Sequence, residues 1–134
     1  MSTTIIPTLR YRDAPAAIAW LTDTLGFTRR QVMENPDGTI AHAELTHGTG
    51  MIMLGSVAPP ETSAYSQVAP PPGASSIYVV IEDTDAHHAR AVAAGAEVVM
   101  APVDQDYGSR EYAARDPEGN LWTFGTYDPW TVAG

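Results

Sequence analysis

Apolar residues along the chain fall into two spacings, alternating and helical, and the order in which these appear occurs twice. An apolar run, Ile5 to Leu9, leads into Pro15 to Leu25, where Ile18, Leu21 and Leu25 recur at helical spacing and Gly26 follows. That pattern predicts a helix closed by a left-handed glycine. Arg29 to Met33 predicts a strand, ended by the turn residues Asn35-Pro36-Asp37-Gly38. A hairpin follows, from His42 to Gly55. The same order returns 70 residues later: an apolar run from Ile77 to Ile81, a helix from Asp85 to Ala94 closed by Gly95, a strand from Glu97 to Met100, and a hairpin from Tyr112 to Gly125. Tyr11-Arg12-Asp13-Ala14-Pro15-Ala16 stands 70 residues before Ile81-Glu82-Asp83-Thr84-Asp85-Ala86, and Gly55 stands 70 before Gly125. Self-similarity at a fixed period signifies a repeated structural unit.

Each unit reads strand, helix and three strands, which predicts an α+β domain of two βαβββ modules. The first module is expected over residues 4–56 and the second over 74–130, within one domain spanning 1–134. Residues 56–73 join them; this segment is rich in Pro, Ser and Ala and is predicted to lack regular structure, as a lid or a linker.

Composition narrows the chemistry. With 44% hydrophobic and 17% charged residues, the chain is of the folded, globular type. It has no cysteine, which excludes disulfides, thiolate metal sites and cysteine nucleophiles and leaves His, Asp and Glu as metal donors. Seven basic against sixteen acidic residues, a net charge of −9, oppose nucleic-acid binding and favour neutral or cationic small molecules. No apolar run reaches the roughly 18–20 residues of a membrane span. Met1-Ser2-Thr3-Thr4 lacks a basic stretch followed by an apolar one, so no signal peptide is expected and the cytoplasm is the expected compartment.

Strand alternation sorts the hairpin residues into two faces. A four-residue turn at Asp116 to Gly119 sets Arg115 opposite Asn120, Ala114 opposite Leu121 and Tyr112 opposite Thr123. The same count pairs Glu44 with Met51 and His42 with Met53. One predicted face then carries His42, Glu44, Met51, Met53, Tyr112, Ala114, Leu121 and Thr123, a polar and apolar mixture suited to a ligand pocket. The other carries Ala41, Ala43, Ile52, Leu54, Ala113, Trp122 and Phe124, suited to a core. His42 and Glu44 point the same way, as an acid–base pair, a relocated metal site, or a pair flanking solvent at a cavity mouth or a dimer contact. Arg10 joins Ile6 and Thr8 on the cavity side, where a ligand carboxylate or an ordinary ion pair would engage it. Tyr107, ahead of Gly108-Ser109-Arg110, forms a candidate rim. His87 and His88 project about 100° apart on their helix and read as surface or packing residues. His47 lies in a tight turn and is expected to be exposed. Tyr65 and Trp130 are aromatic residues in otherwise polar segments, placed to close over a ligand or to seal a dimer contact.

Asp116-Pro117-Glu118-Gly119-Asn120-Leu121-Trp122 resembles the hairpin that closes the second βαβββ module of the vicinal oxygen chelate superfamily, which includes glyoxalase I, bleomycin-resistance proteins and extradiol dioxygenases. Leu25-Gly26-Phe27 is similar to that superfamily's helix ending, and the resemblance runs from Thr4 to about Pro129. It implies an incomplete barrel around a cavity, commonly in a homodimer. In metal-dependent members, four His, Glu or Gln ligands come from the first and last strands of the modules. Carried over, these positions hold Ile6 or Pro7, Met53, Ile77 and Thr123, none of them an ordinary ligand for a divalent metal. The resemblance therefore implies the metal-free, bleomycin-resistance-like branch: a binding protein without a cofactor, sequestering an antibiotic or aromatic metabolite, or serving as an accessory protein in the pathway that makes one. The alternative is a lyase, isomerase or dioxygenase using a non-standard metal site or the His42/Glu44 pair. The expected ligand-binding residues are Arg10, His42, Glu44, Met51, Met53, Tyr107, Tyr112 and Thr123.

Overall fold

A computed structural model describes residues 3–131 of the chain. Met1, Ser2 and residues 132–134, which enter the readings of the N-terminus and of the 1–134 unit, lie outside them. The first module consists of β1 (Thr8–Tyr11), α1 (Ala14–Leu25), β2 (Thr28–Glu34), β3 (Ile40–His47) and β4 (Gly50–Ser56). After a connecting segment that holds α2 (Ala64–Val68), the second consists of β5 (Ser76–Val80), α3 (Thr84–Ala93), β6 (Glu97–Asp104), β7 (Arg110–Arg115) and β8 (Leu121–Gly125).

The two long helices start in the same way. The Asp13 carboxylate accepts the Ala16 N–H at 3.1 Å and the Asp83 carboxylate accepts the Ala86 N–H at 3.0 Å, each satisfying an amide the helix cannot. Helix α1 ends at Gly26, whose φ of 80° is the left-handed cap predicted for it. The strands form two four-stranded sheets ordered β1-β4-β3-β2 and β5-β8-β7-β6. In both, the module's first strand runs parallel to its last, pairing Thr8 with Met53 and Tyr78 with Thr123, so the 70-residue shift holds in the ladders as well. The helix-facing sides merge into one core that includes Leu9, Ile18, Leu21, Leu45 and Leu54 from the first module and Tyr112, Trp122 and Phe124 from the second.

The hairpin registers differ from the predicted ones, with unequal consequences. Between β7 and β8 the loop is five residues long, Asp116 to Asn120, closed by Asp116 N–H to Asn120 O at 3.0 Å and Gly119 N–H to Asp116 O at 3.0 Å. Ala114 therefore pairs with Trp122, Ala113 with Thr123 and Tyr112 with Phe124. A one-residue slip turns over every side chain of a strand, so Tyr112 and Ala114, expected in the pocket, lie in the core. Glu111 and Ala113 take their place beside Thr123. Between β3 and β4 the turn is only Gly48-Thr49, with φ of 56° at Gly48, and Glu44 pairs with Met53 and Thr46 with Met51. That is a two-residue slip, which preserves the faces.

The connecting segment is also more ordered than predicted. It forms a 3₁₀ turn at Pro60–Thr62 and then α2, whose cap Ser63 accepts the Ser66 N–H at 3.1 Å. The Arg10 guanidinium lies 4.8 Å from the centre of the Tyr65 ring, tying this segment to β1.

The Asp116 loop joins the modules. Its buried carboxylate accepts five hydrogen bonds: from Tyr11 O–H at 2.6 Å, the Asn120 side-chain amide at 2.9 Å, Trp122 Nε1–H at 3.1 Å, and the backbone N–H groups of Glu118 and Asn120 at 3.0 Å each. Glu118 accepts the backbone N–H groups of Arg12 at 2.6 Å and Asp13 at 2.8 Å. Burial, reinforced by the adjacent carboxylate, pushes the Tyr11 phenol well above its usual range and keeps it a donor.

Candidate functional site

The faces of the two sheets turned away from the helices are open. On the first, pairing brings Thr8 and Glu44 to either side of Met53. Glu44 accepts a hydrogen bond from His42 Nε2–H at 2.9 Å, and Arg30 binds its other oxygen. These partners, His42 first, hold the Glu44 carboxyl below its ordinary range, so it is an acceptor at neutral pH. Arg10 donates to Ser56 O at 2.9 Å, so its guanidinium is engaged in structure before any ligand arrives.

On the second sheet, Tyr78, Thr123 and Ala113 form one row. Glu111 lies beside them and accepts the Tyr107 O–H at 2.9 Å, while Tyr78 O–H donates to Tyr127 O at 2.8 Å. Gly125 makes this cluster possible, since a Cβ there would fall 2.6 Å from both Tyr78 Oη and Glu111 Cγ. The hydrogen bond to Glu111 raises the Tyr107 phenol's pKa, and partial burial raises that of Tyr78.

The expected ligand residues are thus divided. Arg10, His42, Glu44 and Met53 share the first open face and Thr123 and Tyr107 the second, whereas Met51 borders a separate cavity and Tyr112 is buried. Glu111, Tyr78 and Arg30 were not predicted. Glu111 becomes visible only once the Asp116 loop is known to hold five residues rather than four.

The carried-over metal positions need two corrections. Thr8, rather than Ile6 or Pro7, is the residue paired with Met53. Ile77 pairs with Trp122 and packs on the core, and Tyr78 is the residue of β5 that faces the open side. The groups in the two rows are then the Thr8 and Thr123 hydroxyls, the Met53 thioether and the Tyr78 phenol. Divalent metals of this fold take imidazole or carboxylate, which these groups do not supply. Among the described residues no three His, Asp or Glu side chains are grouped to hold a metal ion. The residues do not fit one.

His47 and His87 belong to the seam between modules. His47, expected to be exposed, is half-buried with its ring centre 5.3 Å from that of Phe27, because the short turn folds it inward. His87 packs on Phe124 at 4.4 Å. Its Nε2–H donates to Leu25 O at 3.2 Å, so its Nδ1 accepts the Tyr112 O–H at 2.5 Å. Burial lowers the pKa of both imidazoles. Beside them a cavity of about 820 Å³ opens between the modules, bordered by the His47 to Ile52 hairpin end, Ile81 to Asp83, Phe27, Trp122 and Trp130.

Two βαβββ modules, each with its first strand parallel to its last, define a duplicated α+β class of protein. The Glyoxalase/Bleomycin resistance protein/Dioxygenase superfamily profile matches residues 5–124, and the chain belongs to that superfamily. It is 33% identical to TioX from Micromonospora sp. ML1, whose crystal structure superposes with a TM-score of 0.78 over 92% of this chain and 98% of that one. Lactoylglutathione lyase from Agrobacterium tumefaciens shares the fold at 23% identity, with a TM-score of 0.70 over 99% of each chain. An uncharacterised protein of Mycobacterium bovis is 31% identical over 121 residues, 89% of this chain and 80% of that protein.

Proposed function

We propose that this protein binds a small organic molecule without a metal, sequestering an antibiotic or aromatic metabolite in the manner of the bleomycin-resistance branch of its superfamily. One observation carries the reading: the rows on the two open faces hold Thr8, Met53, Tyr78 and Thr123, a set suited to apolar contact and neutral hydrogen bonding rather than to a divalent cation. Met53 and Tyr78 supply contact surface, and Thr123, His42 and Glu44 orient the ligand. The protein acts as a cytoplasmic homodimer in this reading; the exposed Tyr78 and Val103 on the second sheet are the surface a second subunit would cover.

Calorimetric titration with a panel of aromatic and glycopeptide compounds, alongside elemental analysis of untagged protein, tests the proposal. Saturable binding unaffected by EDTA, with no stoichiometric metal, is expected. Stoichiometric zinc, nickel, iron or manganese that is lost in His42→Ala overturns it, as does the absence of any saturable ligand. The 2.9 Å hydrogen bond between His42 and an ionised Glu44 favours a second reading, proton-transfer catalysis on a bound substrate. Turnover abolished in Glu44→Gln with ligand affinity retained would select it.

A further inference from the structure

We infer that the cavity between the modules is a second ligand site, for a planar, largely apolar aromatic compound that is neutral or cationic. This goes beyond the open-face reading, since the cavity borders none of Thr8, His42, Glu44, Met53 or Thr123.

The cavity exists because the two modules close on each other unequally. On one side the Asp116 to Asn120 loop covers Tyr11, Arg12 and Asp13, fills the space with the Tyr11 phenol and locks it through Asp116 and Glu118. On the other side the 70-residue register puts Ile81, Glu82 and Asp83 in the same position, beneath the Gly48-Thr49 turn. That turn has two residues where the other loop has five. It has no carboxylate to play the part of Asp116, and Ile81 has no hydroxyl to offer one. The unfilled counterpart is the cavity of about 820 Å³, within the roughly 300–1,000 Å³ range of small-molecule sites.

Its walls decide the class of ligand. Phe27, Met51, Val80, Trp122 and Trp130 present apolar and aromatic surface. The His87 ring and the Trp122 indole are already engaged: both His87 nitrogens are hydrogen-bonded, and Trp122 Nε1–H is held by Asp116. A ligand there is selected by shape and ring contact rather than by a demand for hydrogen bonds. Among the described residues, Glu82, Asp83 and Asp128 border the cavity against a single cation, Arg90, whose guanidinium is drawn toward Thr22 O at 3.4 Å. That balance disfavours an anionic compound.

Fluorescence titration with N-phenyl-1-naphthylamine, a neutral aromatic probe, tests this against the anionic dye 8-anilinonaphthalene-1-sulfonate. Ala86→Trp and Val80→Trp each direct an indole into the cavity from a solvent-exposed position on a different element. The expectation is one neutral probe per chain, affinity at least tenfold weaker in both variants, and anionic dye binding at least tenfold weaker than that of the neutral probe. The Trp122 indole and Gly48 amide resonances should shift on saturation. Met53→Glu on the open face should leave the probe's affinity within twofold, so failure of the open-face reading is scored separately, by the compound panel. Absence of saturable binding, wild-type affinity in both tryptophan variants, or equal affinity for the anionic dye overturns the inference.

Discussion

Replacing Tyr11 with Phe removes one oxygen from the seam and leaves the ring that packs the core. The lost bond is a phenol donating at 2.6 Å to a buried carboxylate, the short, charge-assisted kind. Hydrogen bonds to charged groups contribute about 1.5–3 kcal/mol. Asp116 keeps its four other donors, so a loss of about 2 kcal/mol is expected rather than the greater cost of stranding a buried charge. For a domain of this length that corresponds to a drop in Tm of about 6–10 °C, read by circular dichroism and checked by urea midpoint at constant m. Asp116→Asn combined with Tyr11→Phe completes a cycle, and its coupling energy should exceed about 1 kcal/mol. The phenol also makes a signed prediction. Its pKa is raised in the folded state, so its contribution is complete below the unfolded value near 10 and is lost as pH rises above it, because only the unfolded chain then ionises. Tyr11→Phe should flatten that part of the alkaline decline. A Tm within about 2 °C of wild type, with coupling near zero, would refute the seam's role.

His47 and His87 predict the opposite dependence. Both imidazoles are lowered by burial, so the unfolded chain takes up protons first and stability should fall as pH drops below about 6.5. Urea midpoints at pH 7.5 and 5.0 should differ less in His47→Gln/His87→Gln; an unchanged difference would show that other groups govern the acid side. Gly125→Ala would bring a methyl group against Tyr78, Glu111 and Ser109, and a loss of about 1–3 kcal/mol from overpacking is expected in a chemical melt. Wild-type stability would mean that this cluster moves aside freely.

The duplication was legible because it is written in several signals at once: the matched strings Tyr11 to Ala16 and Ile81 to Ala86, glycines at Gly26 and Gly95, and glycines closing both last strands. Register was not, because it depends on how many residues a loop spends turning. The residues Asp-Pro-Glu-Gly suggest a four-residue turn, whereas Asn120 is drawn into the loop by hydrogen bonds to the Asp116 carboxylate four residues earlier, which the turn residues themselves do not announce. That single residue moved Tyr112 from the pocket to the core and brought Glu111 out. In the connecting segment the composition masked a cap that was there to read, Ser63 ahead of Ala64-Tyr65-Ser66. The inward placement of His47 had no local signal, since its partner Phe27 lies in another strand connection.

The Tyr11–Asp116 bond also bears on the order of assembly, since 105 residues separate its partners. Everything that holds the first sheet together is made within the first 56 residues and can pair while the rest of the chain is still being synthesised. The seam cannot: closing a loop of that length carries an entropic cost that only the finished second module repays. Until Asp116 and Glu118 have emerged, the Tyr11 hydroxyl and the amides of Arg12 and Asp13 have only water as a partner. Joining of the halves is therefore a late event in the life of each new chain, and the half-made protein is a sheet and helix with one side still uncovered.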